Sequence, residues 1–149
     1  MSSEPWARRP APRLDVGVTR VWHWALRAPG DLTDSRLSLR DDLLDDTAPV
    51  GAAEDDLERL LLTFEELTSN GLRHGRAPVE VTVSTTKSGW LVDVTDAATT
   101  GTPTPAVDRD PAYGGLGLHL VARLSTMQGW EVRLGRKHVW ACIARTAAA

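Results

Sequence analysis

Cysteine is nearly absent from this 149-residue chain. Cys142 stands alone, so neither an intrachain disulfide nor a cysteine-based metal cluster can form. That usage suits a reducing compartment, and a cytoplasmic location is expected. Aromatic side chains other than indole are equally scarce, with one Phe and one Tyr against six Trp. Packing in the core or along its edges is the expected role of the indoles. Basic charge is not in excess: 17 Lys and Arg stand against 20 Asp and Glu, for a net charge of −3. Nucleic-acid binders usually carry a basic patch or stripe, so neither DNA nor RNA is expected as a partner. The one basic cluster, WARRPAPR, is short and broken by proline. No apolar run approaches the ~20 residues of a membrane helix. The start MSSEPWARRP lacks the apolar stretch of a signal peptide, so no membrane role is expected either. There is no internal repeat, no heptad run and no GxxxxGK[ST], which excludes a P-loop.

What is present describes one domain. Hydrophobic residues make up 42% and charged residues 25% of the chain, close to the globular average, and the length allows a sizeable core. Residues 1–17, rich in Pro, Arg and Ser, read as a flexible arm. Residues 18–145 read as the folded domain and 146–149 as a tail. VTRVWHWAL (18–26) puts Val21, His23 and Ala25 opposite Trp22, Trp24 and Leu26, which predicts a strand. Thr33 or Asp34 can cap a helix that runs to about Asp46, with Leu37, Leu39, Leu43 and Leu44 as its apolar stripe. A second helix is predicted over 54–73 from Leu57, Leu60, Leu61, Phe64 and Leu67 at three- and four-residue spacing. VEVTVST (79–85), a KSG turn and WLVDVTD (90–96) form a hairpin. The stretch from Ala97 to Tyr113 exceeds the ~12–15 residues of ordinary loops and is expected to be functional or disordered. GGLGLHLVARLSTMQ (114–128) predicts a glycine-led helix. WEVRL (130–134) and VWACIAR (139–145) close a hairpin around GRK. The order β-α-α-β-β-loop-α-β-β predicts an α/β (α+β) two-layer sandwich: a mixed sheet with helices on one face.

Three places carry candidate chemistry. On a wheel at ~100° per residue, Glu66, Asn70 and His74 form a polar file along one flank of the second helix. Glu65 falls on the other flank. A carboxylate beside an amide oxygen offers hard ligands to magnesium or a base for an attacking hydroxyl; the same file would also suit a solvated helix edge, with His74 favoured by the helix dipole. The glycines 114, 115 and 117 precede a helix. They allow backbone N–H groups to approach a phosphate, or they make a plain loop-to-helix turn. Asp96, at the end of a strand, can accept from an exocyclic amine such as that of adenine, or it can form an Asx-turn.

Taken in order, ExxxN on a helix, Asp after a strand, a long loop and GxG opening a helix resemble the GHKL (Bergerat-fold) ATP-binding superfamily. Glu66-Leu-Thr-Ser-Asn70 resembles its N box, Asp96-Ala97-Ala98 the first glycine box, and Gly115-Leu116-Gly117-Leu118 the second. The loop 97–113 takes the place of the ATP lid. The short chain and the run Asn70-Gly71-Leu72-Arg73-His74-Gly75 resemble the anti-sigma factor serine/threonine kinases, the RsbW-like group, in its actinobacterial form. The resemblance implies ATP and Mg²⁺ as cofactors, Glu66 as general base and Asn70 as metal ligand. It implies a nucleotide site of Asn70, Arg73, His74, Asp96, Ala98, Gly101, Gly114, Gly115, Leu116, Gly117 and Leu118. It implies as partners ATP or ADP, a sigma factor and a STAS-type anti-anti-sigma protein, with a homodimer as the oligomeric form. A second reading is a binding module of the same fold that sequesters a protein with weak or no nucleotide binding. Two departures from the family pattern favour it. Ala98 stands where the first box has glycine, and Arg136-Lys137-His138 stands where a Gly-Lys-Thr-like run is usual; both concern the base end of the site.

Overall fold

The computed structural model describes residues 6–12, 20–46, 54–100 and 116–146. Five strands and three helices follow in the order β1 (Val21–Leu26), α1 (Pro29–Asp46), α2 (Glu54–His74), β2 (Val79–Thr85), β3 (Gly89–Asp96), α3 (Leu116–Leu124), β4 (Met127–Arg133) and β5 (Arg136–Ala144). The sheet runs β1-β2-β3-β5-β4. It was expected to be mixed, yet every pairing among the five strands is antiparallel. The reason is that β4 lies beyond β5, so the connection through α3 does not bring two parallel strands side by side. All three helices pack against one face of the sheet or against each other, as the α+β reading expects.

The alternation read from the sequence selects that inner face. Trp22 and Leu26, Val79, Val81 and Val83, Trp90, Val92 and Val94, and Val139, Ala141 and Ile143 all point to the helices and are buried. Leu39, Leu43, Leu60, Phe64, Leu67, Leu118 and Val121 meet them from the helical layer. Trp24 stands edge-on to Phe64, ring centres 5.5 Å apart.

Helix α1 begins a turn earlier than Thr33. Pro29 takes the first helical position, where its missing N–H costs nothing. The Asp31 carboxylate reaches back to the N–H groups of Arg27 (2.8 Å) and Ala28 (3.1 Å), one half of a capping box. Helix α3 ends at Leu124 rather than Gln128: the Thr126 N–H donates to the Cys142 carbonyl, and Met127 and Gln128 already pair with β5. The last turn is Leu134-Gly135, both at positive φ, as two-residue hairpins favour. It comes before the predicted GRK turn, so Arg136, Lys137 and His138 belong to β5.

The arm read as flexible also differs. Residues 1–5 and 13–17 lie outside the described residues, but residues 6–12 lie against β4. The Arg9 N–H donates to the Trp130 carbonyl at 2.8 Å, and the Trp130 N–H donates to the Ala7 carbonyl at 3.2 Å. Trp6 is buried, its indole N–H donating to the Leu118 carbonyl. Arg8 stacks over Trp130 and Arg9 over Trp140. Indole burial and guanidinium stacking hold a segment that has no periodicity of its own.

Candidate functional site

The wheel geometry of α2 is realised. Glu65 and Glu66 leave the helix on opposite flanks. Glu65 faces α1 and pairs with the Arg36 guanidinium at 3.5 Å. Glu66 faces α3, its carboxylate lying directly against the Cα of Gly117, where any Cβ would collide with it. Glu66 is therefore held between α2 and the first turn of α3. Burial pushes its carboxyl above the ordinary value of 4.5; the neighbouring Glu65 adds to this and Arg73 opposes it. Asn70, one turn on, is half-buried, and Arg73 and His74 are exposed at the helix end.

Asp96 closes β3 on the inner face and is 2% exposed. Its Oδ1 accepts the Ala98 N–H at 2.7 Å and the Arg76 N–H at 3.3 Å. The first bond is the Asx-turn geometry; the second ties the strand end to the residue after α2. The Ala97 N–H also donates to the Arg76 carbonyl at 2.8 Å. Oδ2 lies over Gly75, where a Cβ would stand 2.7 Å from it and 2.6 Å from the Gly71 carbonyl oxygen. The turn bond and an available carboxylate oxygen thus coexist in one residue.

Of the residues read from the sequence, Glu66 and Gly117 are in contact, Asn70 shares their helix flank, and Asp96 and Ala98 lie past the C-terminal end of α2. The Leu118 side chain belongs to the core, which leaves only its backbone for a ligand. Gly101, Gly114 and Gly115 lie outside the described residues, as does the side chain of Leu116 and residues 101–113 of the long loop. Two residues that the sequence offers only as members of longer runs stand beside Asp96. Gly75 is the floor under Asp96. Lys137 is the cross-strand neighbour of Asp96 and is 9% exposed. His138, the last residue of that run, points to the opposite face of the sheet, where its Nδ1 lies 3.0 Å from Asp93 Oδ2. Among the described residues no cluster of three or more His, Cys, Asp or Glu could hold a metal by itself.

Comparison with known proteins identifies the family and the fold. The histidine kinase-like ATPase domain family matches residues 31–143. The chain belongs to that family. No curated protein matches the chain. Among solved structures, the RsbU and RsbW domains of Rv1364c from Mycobacterium tuberculosis superpose with a TM-score of 0.59 at 19% identity, over 87% of this chain and 34% of that one. A chain of the SiaB–SiaC complex from Pseudomonas aeruginosa gives 0.58 at 14% identity, over 83% of this chain and 88% of that one. At these identities the likeness is one of fold, and this ATPase domain spans about a third of the Rv1364c chain.

A histidine kinase-like ATPase domain implies ATP as ligand, and the described residues fit one. A buried carboxylate with an oxygen over a bare glycine can take an amino group of a base. At the other end, a glycine in the first turn of α3 leaves that helix N-terminus approachable by an anion. Asn70 and Glu66 supply hard oxygens of the kind magnesium takes when phosphates complete its shell. No helix among the described residues is long and apolar enough to cross a membrane.

Proposed function

We propose that this domain binds Mg·ATP in the cleft bounded by α2, the end of β3 and the start of α3, and transfers the terminal phosphate to a Ser or Thr hydroxyl of a protein antagonist. Through that transfer it controls a sigma factor by partner switching. The observation that carries the reading is the position of Glu66: it is half-buried against Gly117 at the mouth of α3, whereas Glu65 is turned away to Arg36. A carboxylate beside a helix N-terminus is where a base serving a bound phosphate has to be.

Each residue then has a task. Asp96 accepts the exocyclic amine of adenine through Oδ2, its other oxygen already engaged by backbone N–H groups. The backbone at Gly115 and Gly117 donates to phosphate oxygens, and Arg73 and His74 bring positive or donor groups to the same end. Asn70 is the protein ligand for Mg²⁺, which neutralises phosphate charge when bound. Glu66 accepts the proton of the acceptor hydroxyl as its oxygen bonds to the terminal phosphorus and the bond to the bridging oxygen breaks, leaving ADP. Burial raises the carboxyl and makes it a better base than an exposed glutamate. The fold likeness to an RsbW domain agrees with the partner-switching part of the reading.

Glu66→Gln tests it: nucleotide binding is retained and phosphate transfer to an antagonist is lost. Transfer at the wild-type rate would remove Glu66 from the mechanism. A second reading, a binding module that holds a partner without transfer, is favoured by Ala98 in place of a glycine. Nucleotide binding without transfer to any STAS-type antagonist would decide for it.

A further inference from the structure

The residues ahead of β1 reach the phosphate end of the site. Residues 6–12 lie outside the stretch that matches the family and run along the outer edge of β4. Besides the two backbone bonds to Trp130, the Arg9 Nε–H donates to the Gln128 carbonyl at 2.8 Å, and the Trp140 indole N–H donates to the Arg9 carbonyl at 3.0 Å. Anchored in this way to β4 and β5, the segment sends Trp6 into the core, in the same buried cluster as Leu118, Val121 and Trp130. The Trp6 indole N–H donates to the Leu118 carbonyl at 3.2 Å. Leu118 stands in the first turn of α3, one residue after Gly117, against which the Glu66 carboxylate lies. A helical carbonyl already accepts from the N–H four residues on and has a second lone pair for another donor. The indole bond is therefore not what makes α3 a helix. It sets where the first turn of that helix stands relative to the sheet. Among the described residues α3 packs mainly on α2 and only lightly on the sheet, so the indole, anchored through β4, adds a lateral contact that α2 alone does not give.

Resting on the nucleotide-binding reading above, we propose that Trp6 is a positioning residue for the phosphate end of the cleft: through the Leu118 carbonyl it holds the first turn of α3, and with it Gly117, in place against Glu66. The N-terminal segment is thereby coupled to nucleotide without touching it. The Asp96 end is built differently. Its contacts are with Ala98, Arg76 and Gly75, and none of these belongs to α3 or to the segment. Loosening Trp6 therefore weakens the grip on phosphates and spares the grip on the base. Coupling is reciprocal: a ligand whose phosphates bind the first turn of α3 tightens the segment on β4, and a ligand without phosphates does not.

The test uses Trp6→Phe, which keeps an aromatic ring in the core and removes the N–H. Calorimetry with Mg·ATP and with adenosine reads the two ends of the cleft apart. The variant is expected to lose about fivefold or more in affinity for Mg·ATP and to bind adenosine as wild type does. Backbone amide exchange without nucleotide is expected to speed up in α3 and to stay unchanged in α2 at Phe64 and Leu67. Equal weakening toward both ligands, unchanged affinity for both, or exchange in α3 that is unchanged or rises no more than in α2 would overturn the positioning role. If the Phe variant does not fold, wild type still decides. Arg8 and Arg9 are exposed, and trypsin cleavage between them is expected to slow by about fivefold or more with saturating Mg·ATP but not with adenosine. Cleavage unaffected by Mg·ATP, or slowed equally by both ligands, would overturn the proposal. Wild type that binds no nucleotide would remove the nucleotide reading, while the exchange result would still decide whether Trp6 holds α3.

Discussion

Glu66 is a carboxylate held above its usual range by burial and by the adjacent Glu65, and this links it to stability as well as to chemistry. A group whose pKa is raised on folding favours the native state while protonated. That contribution is present below the unfolded value and is lost as pH rises through the folded one. At neutral pH the ionised Glu66 therefore destabilises the fold, and Glu66→Gln is expected to melt higher than wild type. The difference should close as pH falls through the raised pKa and below 4.5, the ordinary value; scanning calorimetry across that range checks it. Gly75→Ala makes the opposite kind of prediction. Its Cβ would stand 2.5 Å from the Asp96 carboxyl carbon, so the carboxylate has to move. Destabilisation of about 1–3 kcal/mol and weaker nucleotide binding are expected together, read by urea unfolding and calorimetry. The flank that carries Glu66 was legible in the sequence because a helix fixes direction through its period alone. The raised carboxyl was not, since Gly117 is 51 residues away and only the packing of α3 brings it there.

The elements around the site are pinned by contacts of unequal legibility. Asp56, in the first turn of α2, is fully buried and accepts from the Thr146 N–H at 2.8 Å and its hydroxyl at 2.7 Å, as well as from Arg59. Arg59 also donates to the Ala144 carbonyl, so this cluster ties the start of α2 to the end of β5. Asp56→Ala is expected to cost about 2–3 kcal/mol in urea unfolding, with little effect on the distant cleft. Conversely, the Thr63 and Thr68 hydroxyls of α2 are buried with no partner among the described residues. Replacing either by Val is expected to be neutral or to stabilise by about 1 kcal/mol. The β4–β5 hairpin was misread at its turn, and the consequence is larger than the error. Displacing a strand's start by a residue or two decides which side chains count as sheet residues at all, and alternation then sends neighbours to opposite faces. Arg136, Lys137 and His138 are thus sheet residues, with Lys137 opposite Asp96 and His138 on the other face beside Asp93. The signal was Leu134-Gly135, but Leu at positive φ, here 53° and 95% exposed, is not a residue that marks a turn. Leu134→Asn is expected to stabilise by about 1 kcal/mol.

Across the whole molecule, the layered α+β order was legible because hydrophobic period and chain order limit how strands and helices can stack. The N-terminal segment was not, because what holds it is remote: Trp6 meets a carbonyl 112 residues along the chain, and a composition of Pro and Arg gives no hint of it. Trp6→Ala is expected to destabilise the domain by about 3–5 kcal/mol, measured by denaturant unfolding; a loss under about 1 kcal/mol would mean that the segment is not part of the folded unit. The same folding sets Glu66 against Gly117 and, past the C-terminal end of α2, Asp96 against Gly75, and the proposal is that one nucleotide spans the two. Its most direct measurement is calorimetric titration of Mg·ATP into wild type and into Asp96→Ala. Binding to wild type, weakened by about tenfold or more in the variant, is predicted. No binding to wild type, or equal affinity in the two proteins, would contradict it.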